Sequence, residues 1–109
     1  MRIKKEKFDE SDARYRLIDN KKTIGVVNIC GGFIEDLEID KDYRRKGYAT
    51  LLMKEVLKDF EHEELTLLAD GCETPIKILK GFYRQLGFKS DKIHPDFMVR
   101  RVQKIHKAN

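Results

Sequence analysis

Cysteine is scarce. Cys30 and Cys72 are the only two in a chain of 109 residues. They form neither a CxxC pair nor a metal-ligand cluster, so a disulfide framework is excluded and both read as reduced free thiols. His62 lies in the acidic run 59–64, and His94 and His106 have no partners at ligand spacing, so no metal site is predicted. No apolar run approaches the roughly 20 residues of a membrane span. The opening MRIKKEKFDE is too charged for the apolar part of a secretory signal, which points to the cytoplasm. No repeat, low-complexity stretch or linker divides the chain. The GxxxxGK[ST] phosphate loop is also missing, which argues against an ordinary ATPase.

What is present fits a single domain over residues 1–109. Hydrophobic residues make up 40% and charged residues 39%, which suits one modest core under a charged surface. The net charge of +4 is unevenly spread. Between Ile34 and Asp42, Glu35, Asp36, Glu38, Asp40 and Asp42 stand against Lys41 alone. The stretch from Lys77 onward is basic. It reads as a solvated helix face and edge strand rather than a nucleic-acid contact.

The residue pattern predicts strands first. Ile3 to Phe8 and the run around Tyr15, Leu17 and Ile18 are strand-like. Asp19 to Lys22 is a turn, Thr23 to Cys30 a β-branched returning strand, and Gly31-Gly32 a second turn. Phe33 to Asp40 follows, with Leu37 and Ile39 alternating against Glu38 and Asp40. The period then changes. Ala49, Leu52, Met53, Val56, Leu57 and Phe60 form one stripe of an amphipathic helix. Leu65 to Ala69 suits a strand buried on both faces. Thr74 as N-cap and Pro75 at the first helical position start a second helix, which carries Ile76, Leu79, Tyr83 and Leu86. Gly87 ends it in a left-handed cap with Phe88 packing back. Phe97 to Val102 is the last strand. The order predicts an α+β (mixed α/β) domain: a central mixed sheet, an antiparallel N-terminal meander and two crossover helices, with a parallel strand pair near the centre.

Between the acidic strand and the first helix lies Tyr43-Arg44-Arg45-Lys46-Gly47-Tyr48-Ala49-Thr50. A strand that enters a tight loop opening directly into a helix presents unpaired backbone N–H groups, and the helix dipole adds positive charge. That is a ready anion site. Gly47 permits close approach of a ligand to the backbone, and Arg44, Arg45 and Lys46 supply charge for phosphates.

Arg44-x-x-Gly47-x-Ala49 resembles the Gln/Arg-x-x-Gly-x-Gly/Ala signature of the GCN5-related N-acetyltransferase (GNAT) family, and Phe82-Tyr83-Arg84-Gln85-Leu86-Gly87-Phe88 is similar to that family's Phe-Tyr-x-x-x-Gly-Phe segment. The resemblance covers Tyr15 to roughly Val102. It implies the acyl-CoA N-acyltransferase fold, acetyl-CoA as cosubstrate with no metal, and transfer of acetyl to a primary amine of a small molecule or protein. It implies a cofactor site made by Leu37, Ile39, Arg44, Arg45, Lys46, Gly47, Tyr48, Ala49 and Thr50, with an oxyanion-binding backbone N–H near Ile39. Tyr83 matches the position that protonates the CoA sulfur, and Glu35 is a candidate base, with Asp36 and Glu38 as weaker alternatives. The chain departs from the pattern twice. Only Asp9 to Arg14 stands where the family has two helices, which leaves the acceptor side open and leaves room for a homodimer. Ile76 occupies a position where many members have a cofactor-contacting Asn. A non-catalytic CoA-binding or interaction module on the same fold is the alternative.

Overall fold

The computed structural model describes residues 1–70 and 74–102; Cys72 and His106 lie outside the described residues. Four antiparallel strands come first: β1 Arg2–Lys7, β2 Ala13–Asp19, β3 Lys22–Cys30 and β4 Phe33–Ile39. Helix α1 (Tyr48–Asp59) crosses to β5 (Leu65–Leu68), and α2 (Ile76–Gln85) leads to β6 (Lys89–Ser90) and β7 (Phe97–Arg100). One seven-stranded mixed sheet has the order β1-β2-β3-β4-β5-β7-β6. As the chain order predicts, β4 and β5 are the parallel pair, and both helices are crossovers. No described helix is long and apolar enough to cross a membrane.

The hairpins follow from local chemistry. Asn20 and Lys21 both take positive φ, 48° and 68°, as a two-residue type I′ turn requires. Helix α2 ends as the sequence indicates. Gly87, at φ 97°, donates to the Arg84 carbonyl, and the Phe88 N–H reaches the Tyr83 carbonyl at 3.1 Å. This is the Schellman pairing, and the Phe88 ring closes against Tyr83 with centroids 5.8 Å apart.

The core lies on one face of the sheet. Alternation and register put Tyr15, Val27, Ile34, Leu67 and Met98 on the same side, where Leu52, Met53 and Val56 of α1 meet them. Arg100 shares that side, and its Nε donates to the Leu86 carbonyl at 3.1 Å, so α2 covers the same face as α1. A clip joins α1 to the first strands. The Tyr15 hydroxyl donates to Asp59 at 2.8 Å, while Lys5 lies 2.6 Å from Glu55 and 3.1 Å from Asp59. Burial alone would raise the Asp59 carboxyl, but hydrogen bonds from Tyr15 and Lys5 outweigh it and hold the group below the usual carboxylate value. Stability from this group is therefore present above the unfolded pKa and lost as pH falls through the depressed one. Tyr15→Phe should cost about 1.5 kcal/mol, the lower end for a hydrogen bond to a charged group. Thermal melts at neutral pH check this, and the deficit should shrink at a pH where Asp59 is protonated.

The structure corrects three expectations and adds one strand. Strand β5 is not buried on both faces: Leu65 and Leu67 are buried, but Leu68 is 54% exposed, since among the described residues no helix covers its side. Thr74 does not cap α2. Pro75 is the N-cap, with ψ 136° outside the helical region, and the helix begins at Ile76. The last strand stops at Arg100 rather than Val102. The two-residue β6, too short for any periodicity, was not predicted.

Candidate functional site

Strands β4 and β5 pair only at Phe33↔Thr66 and Ile34↔Leu67. Beyond those two pairs they separate, and the gap opens into a cleft of about 1220 Å³. β4 forms one wall, α2 the opposite wall, and the loop into α1 closes one end. The volume exceeds that of a typical small-ligand pocket, which suits a long cosubstrate.

Strand β4 is itself irregular. Val26 pairs with Glu38 and Asn28 with Glu35, so Asp36 and Leu37 together oppose Val27. This is a β-bulge, with Asp36 at φ 37°. A bulge takes one residue out of the ladder and leaves its backbone polar groups available. Here it does so along the cleft wall, two residues ahead of Ile39, where the sequence placed the oxyanion donor.

The loop after β4 is built from local hydrogen bonds. The Asp40 carboxylate accepts from the Asp42 N–H at 3.3 Å and lies 3.2 Å from the Lys22 ammonium. The Asp42 N–H and then Lys22 hold its carboxyl below the usual carboxylate range. The ammonium groups of Lys22 and Lys46 stand 5.9 and 5.8 Å from the centre of the Tyr43 ring. Arg45 takes φ 61° and Gly47 φ 82°, turning the chain so that Gly47 becomes the N-cap of α1. The Leu51 N–H makes the first helical bond, to Gly47. The N–H groups of Tyr48, Ala49 and Thr50 precede it and have no intrahelical acceptor. They sit at the positive end of the α1 dipole beside three basic side chains, an arrangement that attracts phosphate.

Both predicted catalytic side chains line this cleft, as do all the predicted cofactor residues except Lys46. Arg44 has a further role that the sequence did not reveal. Its Nε donates to the Ile39 carbonyl at 2.9 Å, tying the phosphate loop to the end of β4. Tyr83 is buried, 7% exposed, and faces the cleft from α2. Burial pushes its hydroxyl pKa up, so it is protonated at neutral pH. Glu35 is exposed on β4 at the same cleft. Ile76 does not line it; Thr74, Ile78 and Leu79 do. Leu68 and Ile78 add apolar wall that the motifs did not indicate, beside Phe82 of the 82–88 segment, from which Ile78 is one helical turn away. Among the described residues no group of three His, Cys, Asp or Glu side chains is placed to hold a metal. His62 is exposed beside Glu61, at 3.3 Å.

Comparison with known proteins gives this geometry a context. The sequence model of the acetyltransferase (GNAT) family matches residues 5–88. No curated protein sequence matches the chain. Among solved structures, GCN5 of Tetrahymena superposes with a TM-score of 0.63 at 20% identity, over 88% of this chain and 71% of that one. The ribosomal-protein-S18-alanine N-acetyltransferase of Escherichia coli gives 0.65 at 16% identity, over 93% and 76%. A GNAT family acetyltransferase of Streptococcus pneumoniae gives 0.57 at 29% identity, over 74% and 63%. These likenesses share the fold, an acyl-CoA N-acyltransferase architecture with a mixed sheet and two helices. The connection between β1 and β2 is only residues 8–12, with no helix, as the sequence indicated.

Proposed function

Because the chain belongs to the acetyltransferase (GNAT) family, we propose that it is a cytoplasmic, single-domain N-acetyltransferase that moves acetyl from acetyl-CoA to a primary amine of a small molecule or protein. The observation that carries this reading is the cleft, whose lining brings together the α1 N-terminus, the β4 bulge and Tyr83. The first-turn N–H groups with Arg44 and Arg45 bind the pyrophosphate. The apolar walls take the pantetheine arm, and the bulge of β4 offers a backbone N–H to the thioester oxygen.

The reaction is a direct displacement in a ternary complex. The amine nitrogen attacks the thioester carbonyl, forming the C–N bond, and the C–S bond breaks. Glu35, directly or through water, takes the proton from the amine, and Tyr83 gives its proton to the departing thiolate. The acids of β4 favour a cationic acceptor, whose ammonium must lose a proton before it attacks. An acceptor screen with labelled acetyl-CoA, read by mass spectrometry, tests the assignment. Binding of acetyl-CoA without transfer to any amine would leave a CoA-binding module instead.

The loop cations divide by role. Arg45→Ala should weaken acetyl-CoA binding by about 1.5 kcal/mol, as for a hydrogen bond to a charged group. Lys46→Ala should cost less, since Lys46 stands outside the cleft lining. Arg44→Ala should cost more and should also lower the melting temperature, because it also frees the Ile39 carbonyl. Titration calorimetry with acetyl-CoA and with a pantetheine-only analogue checks this; the Arg45 deficit should vanish with the analogue.

A further inference from the structure

The sheet face away from α1 and α2 carries no helix among the described residues, and its outward side chains are zoned by strand. Arg14 and Arg16 project from β2, Asn28 and Val26 from β3, and Glu35 and Glu38 from β4. Register aligns them in two rows. Arg14, Asn28 and Glu35 stand side by side, and so do Arg16, Val26 and Glu38. Each row therefore reads cation, neutral, anion, centred on β3. Neither Glu35 nor Glu38 forms an ion pair among the described residues. Arg16 has only a partly exposed contact with Glu6 at 3.3 Å, of the kind that contributes little.

An isologous interface needs a patch that complements itself under two-fold rotation. Rotation about an axis along β3, lying in the plane between two facing sheets, sets β2 of one copy over β4 of the other. Both rows then match at once: Arg14 meets Glu35, Arg16 meets Glu38, and each pairing occurs twice. Val26 and Asn28 meet their own counterparts at the axis. Moving the axis to β2 or β4 would instead set cations over cations or carboxylates over carboxylates, so the wrong registers are disfavoured.

We propose that a second copy of this chain docks face to face on this uncovered surface, with its two-fold axis along β3. Aligned sheets pack about 10 Å apart and about 30° from parallel. The match is therefore best on the three strands nearest the axis, which are the strands that carry it. Farther out, β1 lies over the partner's β5. The partner covers the side that lacks helices and closes over Glu35. The proposal rests on register and charge and not on acetyl transfer, but the Arg14 that meets Glu35 across the interface competes with the role proposed for Glu35 as base.

Equilibrium sedimentation at about 100 µM chain in about 50 mM salt, where surface charges are weakly screened, tests it. The expected mass is about twice the 12.9 kDa of the chain. The Arg14→Glu/Arg16→Glu variant and the Glu35→Arg/Glu38→Arg variant should each be monomeric, with unchanged circular dichroism. Their equimolar mixture should recover the dimer, because each basic patch again faces an acidic one. Wild-type dissociation should weaken the complex at least about tenfold between about 50 and 500 mM salt, a readout that needs no variant to fold. A wild-type monomer at this concentration, a dimer indifferent to salt or to either reversal, or a mixture of folded variants that stays monomeric would each overturn the proposal.

Discussion

Gly47→Val is expected to lower acetyl-CoA affinity by at least about a hundredfold, or roughly 3 kcal/mol. Two separate effects meet at this residue. In the free chain Gly47 holds φ 82°, a region that β-branched residues tolerate worst, so valine strains the N-cap of α1. In the complex, a side chain stands where the pyrophosphate approaches the first-turn N–H groups. The geometry separates the two. A Cβ built on Gly47 meets nothing within 4 Å, so the added atoms project into open space and do not clash with the free protein. Gly47→Asn isolates the second effect, because asparagine tolerates left-handed φ. Both variants should lose binding by calorimetry, whereas valine alone should show a marked drop in melting temperature. A folded Gly47→Asn variant that binds acetyl-CoA as the wild type does would remove the loop from the phosphate site.

The fold was legible where its determinants are local. The α1 stripe repeats at the helical period over 49–60, and the cap at Gly87 needs only a residue free to take positive φ. The hairpins at Asn20-Lys21 and Gly31-Gly32 declared themselves for the same reason. What was missed depends on distant contacts. The exposure of Leu68 is decided by what covers the far side of the sheet, and an apolar run of five residues cannot report that. The bulge at Asp36 and Leu37 is a mismatch in length between β3 and β4, invisible in either strand alone. Arg44 read as a phosphate ligand because it is basic and lies three residues before Gly47 in the loop; its bond to the Ile39 carbonyl appears only when the 3-10 turn Lys41–Tyr43 folds the loop back on β4. The members of the candidate site could therefore be named from residue types, and their arrangement only from the way β4 leaves its neighbours.

Tyr83→Phe is expected to lower kcat by roughly a hundredfold while changing the KM for acetyl-CoA much less. Tyr83 lines the cleft from the third turn of α2, and burial raises its hydroxyl pKa above the ordinary value near 10. Raised in this direction, the group stays protonated through neutral and mildly alkaline pH and keeps a proton to donate. That proton matters only as the C–S bond breaks and charge gathers on sulfur, so its loss falls on the transition state rather than on binding. The ring itself should not move. It packs edge-on against Phe82 and Phe88, with centroids 5.1 and 5.8 Å away, and phenylalanine preserves both contacts. The melting temperature should accordingly be nearly unchanged. A tyrosine that served packing alone would also tolerate loss of its hydroxyl, but turnover would then stay near wild type. Steady-state kinetics at saturating acceptor, beside a thermal melt, distinguish the two. The pH profile adds a second readout: the wild-type rate should not decline through Tyr83 ionisation below about pH 10. A folded Tyr83→Phe enzyme with wild-type kcat would take Tyr83 out of the mechanism and leave water to protonate the thiolate.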